Sequence, residues 1–374
     1  MDRNLRLLYQ GAKALNLPVK YLPDICTLTM QFGRTHYYFH RTVTPLNKGA
    51  NTVIAKNKFL CNQLLQQAGF PVPKAVVIDS QSFQSNLLAH IIQGLRFPLV
   101  AKPAQDTGRG ANVLCNIKDM ESLTKHLART FHYYPAMQIE EFHTNLKEYR
   151  VLVLKKRVIG VVERFAAYVV GDGKSTIQEL IDIKNALRAA YRATLTISPM
   201  IVDEEYRQCM AEQEVMLETV PLRGQKIQLC HTVNTGRGGE IYSHGRKIHP
   251  RNVHYFRNAA KTLGLNCVGF DVLCEDLNRP LKKTKWLIIE ANYNPDLTIH
   301  EMSNQGEKTP VANKMLRQLI YKHPFFYLYL LCTQSQFSLY IKSLTSIALL
   351  VGLLSWAKKS NCLKYRKPIS DKYI

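Results

Sequence analysis

The chain alternates between short apolar runs, which have the length of β-strands, and longer stretches with apolar residues at helical spacing. Helical spacing is clearest in residues 175–191, where Ser175 is the candidate N-cap, and a second helix is predicted at roughly 251–263. The predicted strands are 75–78, 97–103, 137–142, 149–165 (a hairpin), 166–173, 265–274 and 286–294. Strands mixed with helices in this way predict an α+β (α/β) fold with antiparallel sheets.

One apolar segment complicates the expectation of a soluble protein. Residues 343–357 (SLTSIALLVGLLSWA) lie between Lys342 and the pair Lys358 and Lys359. A membrane-spanning helix usually needs about 20 apolar residues, and this run approaches that length only when it is extended back to Leu339. A helix packed on the body, a poorly structured tail and a C-terminal membrane contact are therefore all open, and the first two are favoured.

Composition and charge restrict the class of protein but not its ligand. The 374 residues are 46% hydrophobic, so the chain can bury a substantial core and is expected to form two or three lobes. A net charge of +22 predicts attraction to anions in general, including nucleotides, acidic peptides and anionic lipid. No zinc finger or aromatic RNA-binding signature is recognisable, so no specific nucleic acid partner is expected.

Nine scattered cysteines bear on the compartment. Their number is odd and none forms a CxxC pair, which argues against a disulfide framework and a cysteine zinc site. The charged N-terminal sequence MDRNLRLLYQGAK lacks the apolar core of a secretory signal. We therefore expect a cytoplasmic protein.

Acidic and amide side chains interrupt two strongly apolar strands. Glu290 and Asn292 are two residues apart in WLIIEANYN and should share one face of the strand, and Asp271 lies in the apolar sequence VGFDVLC. A buried carboxylate is costly without a partner, and oxygen ligands of this kind suit Mg²⁺. The alternative is that Glu290 and Asp271 are surface residues paired with lysines, and spacing alone does not decide between the two.

A glycine-rich loop follows the strand that carries Lys102. In DTGRGANV (106–113) the glycines would let backbone N–H groups approach phosphate oxygens, to which Lys102 adds a point charge. The loop is not a GxxxxGK[ST] motif, and an ordinary hairpin turn is the commoner explanation of such a loop. The tetrapeptide TGRG recurs in NTGRGGEI (234–241), but the flanking residues differ, so no internal repeat is predicted.

A second acidic segment, 137–154, contains Glu140 and Glu141 before a loop, and Glu148 and Arg150 at the start of a strand. Such acids can accept hydrogen bonds from ribose hydroxyls or an adenine amino group, although a charged surface turn is the simpler interpretation. No GxSxG, HExxH or activated cysteine is present. An enzyme of this sequence would therefore activate its substrate with a nucleotide.

In this order, the segments resemble the ATP-grasp superfamily, specifically the ATP-grasp part of cyanophycin synthetases and the related domain of bifunctional glutathione synthetases. The resemblance covers about residues 9–318, and its most specific parts are VVGDGKSTIQELID and the Glu-x-Asn strand. It implies an ATP-grasp fold in which two α+β lobes sandwich ATP. The expected divisions are an N-terminal segment (1–55), a first lobe (56–140), a metal-binding second lobe (141–320) and a hydrophobic, basic tail (321–374).

The resemblance also implies a role for individual residues. The expected ATP-binding residues are Lys58 and Lys102 at the phosphates, Thr107, Gly108, Arg109 and Gly110 in a flap over them, Glu140, Glu141 and Phe142 at the adenine hinge, and Glu148 at the ribose. The expected metal ligands are Asp271, Glu290 and Asn292, and the expected catalytic residues are Arg150, Asn234 and Arg237.

The chemistry that the resemblance implies is carboxylate–amine ligation. ATP phosphorylates a carboxylate to an acyl phosphate, and an amine then displaces phosphate to give an amide, with Mg²⁺ (two ions are consistent with the family, and Mn²⁺ is a substitute) and lysines neutralising the charge. The expected substrates are an amino acid or a short acidic peptide. Arg237 stands where a small hydroxyl residue is usual, and Asp296 where glycine is usual, so a different substrate is expected.

Other functions remain open at this point. The N-terminal and Mur-ligase-like domains of cyanophycin synthetase are absent from this sequence, so a complete polymerase is not expected. The alternatives are a ligase that modifies a protein or peptide terminus, and a non-catalytic ATP-binding scaffold with a membrane-proximal tail. A homo-oligomer is expected, and peripheral membrane contact is left open.

Overall fold

The structure, a computed structural model, describes residues 1–105, 112–333 and 335–364. The strands in this part of the chain are β1 (Val19–Leu22), β2 (Thr27–Phe32), β3 (Thr35–His40), β4 (Ala75–Asp79), β5 (Leu99–Pro103), β6 (Leu114–Ile117), β7 (Ala136–Glu141), β8 (Lys147–Leu154), β9 (Arg157–Phe165), β10 (Tyr168–Val170), β11 (Lys226–Gln228), β12 (Glu240–His244), β13 (Cys267–Cys274), β14 (Trp286–Asn292) and β15 (Gln305–Glu307). The α-helices are α1 (Arg3–Ala14), α2 (Gly49–Lys56), α3 (Lys58–Gln67), α4 (Ser80–Gln84), α5 (Leu88–Ile92), α6 (Met120–Thr130), α7 (Ile177–Tyr191), α8 (Glu204–Ala211), α9 (Val253–Thr262), α10 (Thr298–Glu301), α11 (Val311–Lys322), α12 (Pro324–Thr333) and α13 (Ser335–Lys364).

A six-stranded sheet with the order β14-β13-β8-β9-β12-β15 is the largest in the described residues. Its pairs are antiparallel except for β12 and β15. The hairpin predicted at 149–165 is formed by β8 and β9, which turn at Lys155 and Lys156, both with positive φ. Helices α3 and α9 cover one face, where Phe256 and Phe270 are fully buried. Burial of this kind is the main favourable term in folding.

A separate four-stranded sheet with the order β4-β7-β5-β6 is antiparallel throughout. Its core is made by α5, α6 and the inner faces of β5 and β7, with Leu99, Leu123 and Ile139 fully buried. The central strands β5 and β7 are the ones that carry Lys102 and Glu140. The first sheet and this one hold the two sets of candidate site residues.

The N-terminal residues form their own sheet, β1-β2-β3, and α1 packs against α11. Leu5 and Leu8 of α1 share a core with Met315 and Leu316 of α11. The N-terminal segment is therefore fastened to the part of the chain that leads into the tail.

A smaller unit contains β10, β11, α7 and α8 around its own apolar cluster. The helix predicted at 175–191 begins two residues later, at Ile177, and the predicted N-cap Ser175 is wrong. Thr176 is the N-cap and forms a capping box with Glu179, because the Ser175 hydroxyl instead donates to Asp172 Oδ2 at 2.8 Å. The helix predicted at roughly 251–263 is α9, which a 3₁₀ turn at Pro250–Asn252 precedes.

The apolar segment 343–357 lies within the helix α13, and the part of this helix from Ser338 to Lys358 is not buried. The two favoured predictions, a helix packed on the body and a poorly structured tail, are therefore wrong. The physical reason is that large apolar side chains surround the helix instead of lining one side, so no single face could be buried against the body while the rest met water.

Candidate active site

A cleft of about 520 Å³ separates the four-stranded sheet from the six-stranded sheet. The chain enters it where β7 ends: Phe142 N donates to Pro98 O at 2.9 Å, which holds the connection to β8 against the neighbouring strand. The four residues predicted for the adenine hinge and the ribose all line this cleft: Glu140, Glu141, Phe142 and Glu148. The structure therefore brings the predicted base-binding segment to one side of one cavity.

The Glu140 carboxylate is occupied by side chains of its own sheet. Lys102 Nζ donates to Glu140 Oε1 at 2.6 Å, and Gln138 Nε2 donates to Oε2 at 2.8 Å. Burial alone would lower the pKa of Lys102, but the adjacent Glu140 carboxylate outweighs it and raises that pKa. Glu140, which lines the cleft, therefore holds Lys102 charged.

Part of the lining of the cleft is apolar or aromatic. Phe142 lies edge-on to His231 with ring centroids 5.8 Å apart, and Val100, Leu273 and Ile289 complete the walls. Glu141 lies at the rim, where its Oε1 accepts a hydrogen bond from Arg96 N at 3.2 Å. A cavity lined by apolar and polar side chains together can hold a nucleobase.

Asp271 lies at the centre of a second, charged cluster on the six-stranded sheet. Arg150 donates to it through both Nε and Nη2, the latter at 3.0 Å from Oδ2, and Arg164 Nη2 lies 2.9 Å from the same oxygen. Asn292 Nδ2 also donates to Oδ2, at 3.4 Å. Burial would raise the pKa of Asp271, but the two guanidinium groups outweigh it and lower that pKa.

Strand register is what assembles this cluster. Asp271 is paired with Arg150 on β8 and with Glu290 on β14, so the three side chains lie in one row across three strands. Close approach of Arg150 requires glycine at position 269, since a Cβ there would lie 2.9 Å from Arg150 Cδ. The pairing of β13 with β14 shifts register between Asp271 and Val272, directly beside the row.

Arg164 is a functional candidate that sequence reasoning missed. It donates to Glu148 as well as to Asp271, and both Arg164 and Glu148 have buried side chains. Burial is the main cause that raises the pKa of Glu148, opposed by Arg164. The available signal was the hairpin pairing, which sets Glu148 directly opposite Arg164.

Lys58 joins the two clusters. It begins α3, where the Asn57 side chain accepts a hydrogen bond from Leu60 N, and its Nζ lies 4.0 Å from Glu290 Oε1. Burial is the largest effect on Lys58 and lowers its pKa, and the nearby charge of Lys102 lowers it further. The nearby acids act in the opposite direction but do not outweigh these effects. Lys58 is therefore close enough to interact with both Glu140 and Glu290, whereas Lys102 is paired with Glu140.

The donor atoms on β13 and β14 fit a magnesium ion in their chemistry. Asp271, Glu290 and Asn292 supply carboxylate and amide oxygens, the ligands that Mg²⁺ prefers. Because Asn292 turns its Nδ2 towards Asp271, its amide oxygen is left as an acceptor, and Glu290 is 32% exposed. Among the described residues no group of three His, Cys, Asp or Glu side chains could hold a metal, so an amide ligand would be required.

Two predicted catalytic residues are bonded elsewhere. Asn234 Oδ1 accepts from Gly236 N at 2.8 Å and caps the 3₁₀ turn Thr235–Arg237. Arg237 forms salt bridges with Asp203 and Glu205 at 2.7 and 2.8 Å. These bonds tie Arg237 to the α8 region and Asn234 to its own turn, and neither of them involves Asp271. The predicted flap residues Thr107, Gly108, Arg109 and Gly110 lie outside the described residues.

The sequence of the chain is similar to a known domain family and to two kinds of synthetase. The RimK-like ATP-grasp domain family matches residues 55–178. Cyanophycin synthetase of Trichormus variabilis is 26% identical over 309 residues, which cover 82% of this chain and 34% of that protein. The glutathione biosynthesis bifunctional protein of Desulfotalea psychrophila is 28% identical over 293 residues, which cover 77% of this chain and 37% of that protein. The chain thus spans about a third of the length of these relatives.

A solved structure supports the fold assignment. The bifunctional glutathione synthetase from Pasteurella multocida superposes with a TM-score of 0.55 at 22% identity, covering 83% of this chain and 44% of that one. The arrangement of the sheets, the cleft between them and the similarity to the sequence relatives are all consistent with one fold. Residues 55–178 match the RimK-like ATP-grasp domain family, and the chain has the ATP-grasp fold.

Proposed function

We propose that the protein is an ATP-dependent carboxylate–amine ligase that forms an amide bond through an acyl phosphate. The observation that carries the proposal is the position of Lys58, between the Lys102–Glu140 pair at the cleft and Glu290 of the charged row. A nucleotide whose base lies in the cleft would direct its phosphates towards Lys58. The sequence relatives are ligases of the same superfamily.

In this proposal residues 56–140 and 141–320 are the two lobes that hold ATP, with 1–55 as the N-terminal segment and 321–374 as the tail. Glu141 and Phe142 position the base, and Lys58 and Lys102 bind the phosphates. Mg²⁺ held by Asp271, Glu290 and Asn292 would supply positive charge against the transferred phosphoryl group. Arg150 and Arg164 hold the Asp271 carboxylate in place.

The proposed substrates are an amino acid or a short acidic peptide, because the net charge of +22 favours anionic partners. The proposed compartment of the catalytic body is the cytoplasm. Every cysteine whose side chain the structure describes is free, in agreement with a reducing environment. Among them Cys61 and Cys267 have buried thiols whose pKa burial raises to about 12, so neither is an activated nucleophile.

The test is carboxylate-dependent phosphate release from ATP, with hydroxylamine present to trap the acyl phosphate as a hydroxamate. A panel of amino acids and short acidic peptides is supplied with Mg²⁺, and product masses identify the acid. We expect a hydroxamate from the wild-type protein and none from Glu290→Ala. The matched control is Glu307→Ala, an exposed glutamate on β15. Phosphate release that no carboxylate stimulates, or a hydroxamate from Glu290→Ala equal to that of wild type, would refute the proposal.

A further inference from the structure

The segment Ser338–Lys358 of α13 has the length of a membrane span. Its 21 residues would extend roughly 32 Å at the usual helical rise, close to the ~30 Å thickness of a hydrocarbon core. None of it is buried against the rest of the protein. A core helix of a soluble protein would pass the same length test, but it would be mostly covered.

Large apolar side chains cover every side of this segment. Leu349, Leu350 and Val351 are consecutive, so they point in three directions about 100° apart, and each is more than half exposed. Leu344, Ile347, Leu353 and Leu354 are exposed in the same way. A helix that docks on a protein surface keeps a polar side for water. Apolar contact on every side is available in lipid.

The two ends of the segment carry the side chains that suit a membrane interface. Tyr340 and Trp356 are separated by sixteen positions, or roughly 24 Å along the helix, and Lys342 and Lys358 lie near them. Aromatic rings with a polar atom are enriched at headgroup depth, and lysine side chains can extend to the interface from within a span.

A second surface, independent of the helix, is strongly basic. A cavity of about 760 Å³ is lined by seven cationic side chains and by no Asp or Glu, and we call it the basic cleft: Lys155, Lys156, Arg157, Arg246, Arg257, Lys314 and Arg317. Within the described part of the chain, the salt bridges that the structure contains do not include any of these seven. Burial, followed by the like charge of Arg246, lowers the pKa of Lys314, although the nearby carboxylates of Glu301 and Glu307 act in the opposite direction.

The basic cleft lies beside the origin of the apolar tail. Lys314, Arg317 and Tyr321 are on α11, and α12 starts at Pro324. The junction is fixed to the body, because Tyr37 Oη lies 2.7 Å from His323 Nε2 and the ring of Phe326 packs 5.8 Å from that of Phe32. A membrane that receives the tail would therefore meet this end of the body.

We propose that Ser338–Lys358 crosses a lipid bilayer and that the basic cleft binds anionic lipid headgroups on the side where α11 and α12 meet the membrane. Neither part depends on the ligase activity. Positive side chains near a membrane surface are attracted to anionic lipid, so seven of them form an effective second attachment.

The span is tested with the full-length protein reconstituted in phosphatidylcholine vesicles and separated by flotation after alkaline carbonate treatment. We expect wild type to float with the vesicles, and the double variant Leu349→Asp, Leu353→Asp to remain in the soluble fraction with unchanged ATP affinity. Wild type that carbonate extracts, or that is monodisperse without detergent, would exclude the span.

The basic cleft is tested in the background of that double variant, which removes insertion. We expect it to bind vesicles containing phosphatidylserine at least tenfold more tightly than neutral vesicles, with the preference lost in high salt. Adding Arg246→Glu, Arg257→Glu and Arg317→Glu should abolish the preference. The control adds Arg192→Glu, Arg207→Glu and Arg223→Glu, three exposed arginines in the region of α7 and α8 with the same charge change.

Thermal unfolding is measured for both triple-substituted proteins, so that a folding defect is recognised. Equal loss of binding in the two would show that only net charge matters and would overturn the assignment of the cleft. The same conclusion follows if the background variant does not distinguish anionic from neutral vesicles. If anionic binding persists in the cleft variant, the headgroups bind elsewhere on the protein.

Discussion

Lys102 Nζ donates to Glu140 Oε1 at 2.6 Å in a position where Lys102 is 8% and Glu140 5% exposed. Removing one charge of such a pair leaves the other buried without compensation. We expect Glu140→Gln to lower the free energy of unfolding by about 3–5 kcal/mol. Equilibrium denaturation in urea measures this change.

The control is Glu141→Gln, since Glu141 pairs with Arg96, whose side chain is 86% exposed. A surface pair of this kind contributes about 0–1 kcal/mol. If the two substitutions cost the same, the buried pair is not an important source of stability.

Lys58 provides a test of where the phosphates bind. Replacing Lys58 by methionine keeps a side chain of similar length but removes its charge. We therefore expect ATP to bind roughly 10–150 times more weakly, which corresponds to the loss of a charge-assisted hydrogen bond of about 1.5–3 kcal/mol. Binding of AMP should change much less. Isothermal titration calorimetry measures both, with the exposed neighbour Lys56→Met as the control. Equal losses for ATP and AMP would argue against a phosphate contact.

Gly269 makes room for Arg150, so Gly269→Ala should displace the guanidinium from Asp271. The new Cβ would lie 2.9 Å from Arg150 Cδ and 3.1 Å from Pro295 Cβ. We expect a loss of about 1–3 kcal/mol in stability, typical of overpacking, together with slower phosphate release from ATP. Gly49→Ala is the matched control, because a Cβ at position 49 meets no atom within 4 Å. Normal turnover in Gly269→Ala would show that Arg150 has no positioning role.

We expect the main role of Arg237 to be stabilisation of the fold, and substrate selection to be secondary. It neutralises Glu205, which is 7% exposed and whose Oε1 accepts from Thr232 N at 2.8 Å. Arg237→Ser should therefore cost about 3 kcal/mol, and Arg237→Lys less, since the charge remains. Denaturation midpoints of the two variants measure this. Unchanged stability combined with an altered carboxylate preference would support the role predicted from the sequence.

His126 predicts a dependence of stability on pH. Burial, and then the charge of Arg129, lower the pKa of His126 from 6.5 to about 4. Between these values the unfolded chain binds a proton that the folded protein excludes, so stability falls as the pH drops from about 6.5 towards 4, by up to about 1.4 kcal/mol per pH unit.

His126→Gln should reduce this slope, while His132→Gln, which replaces an exposed histidine, should leave it unchanged. Part of the slope should persist in His126→Gln, because burial also lowers the pKa of His300, to about 3. Denaturation at pH 5 and pH 7 provides the comparison. A pH difference that is equal in wild type and His126→Gln would contradict the prediction.

The strands β4, β5, β7, β10, β13 and β14 and the β8–β9 hairpin could be predicted from the sequence because apolar runs and turn residues are local properties. The N-terminal strands β1, β2 and β3, and the short strands β6, β11, β12 and β15, were not predicted. The face shared by Glu290 and Asn292 followed from the same rule. Their neighbours on other strands could not be derived in this way. Arg164 reaches Asp271 only through the pairing of β8 with both β9 and β13, a relationship between residues more than one hundred positions apart.

Arg237 and the tail show a different limit. The acids that engage Arg237 come from α8, thirty or more positions earlier, and no local pattern marks them as its partners. For residues 343–357 the composition was compatible with burial on the body. Whether the body offers a face that covers the segment is a property of the whole fold, and Ser338–Lys358 is unburied in it.

The row formed by Arg150, Asp271 and Glu290 also has a consequence for how the chain selects its native pairing. A slip of one residue between β8 and β13 would turn Arg150 to the opposite face of the sheet and leave the Asp271 carboxylate in an apolar layer without its counter-charge. Misaligned arrangements of these strands are therefore penalised by electrostatics, in addition to lost packing. The charged residues proposed for catalysis would then also disfavour incorrect strand pairing during folding.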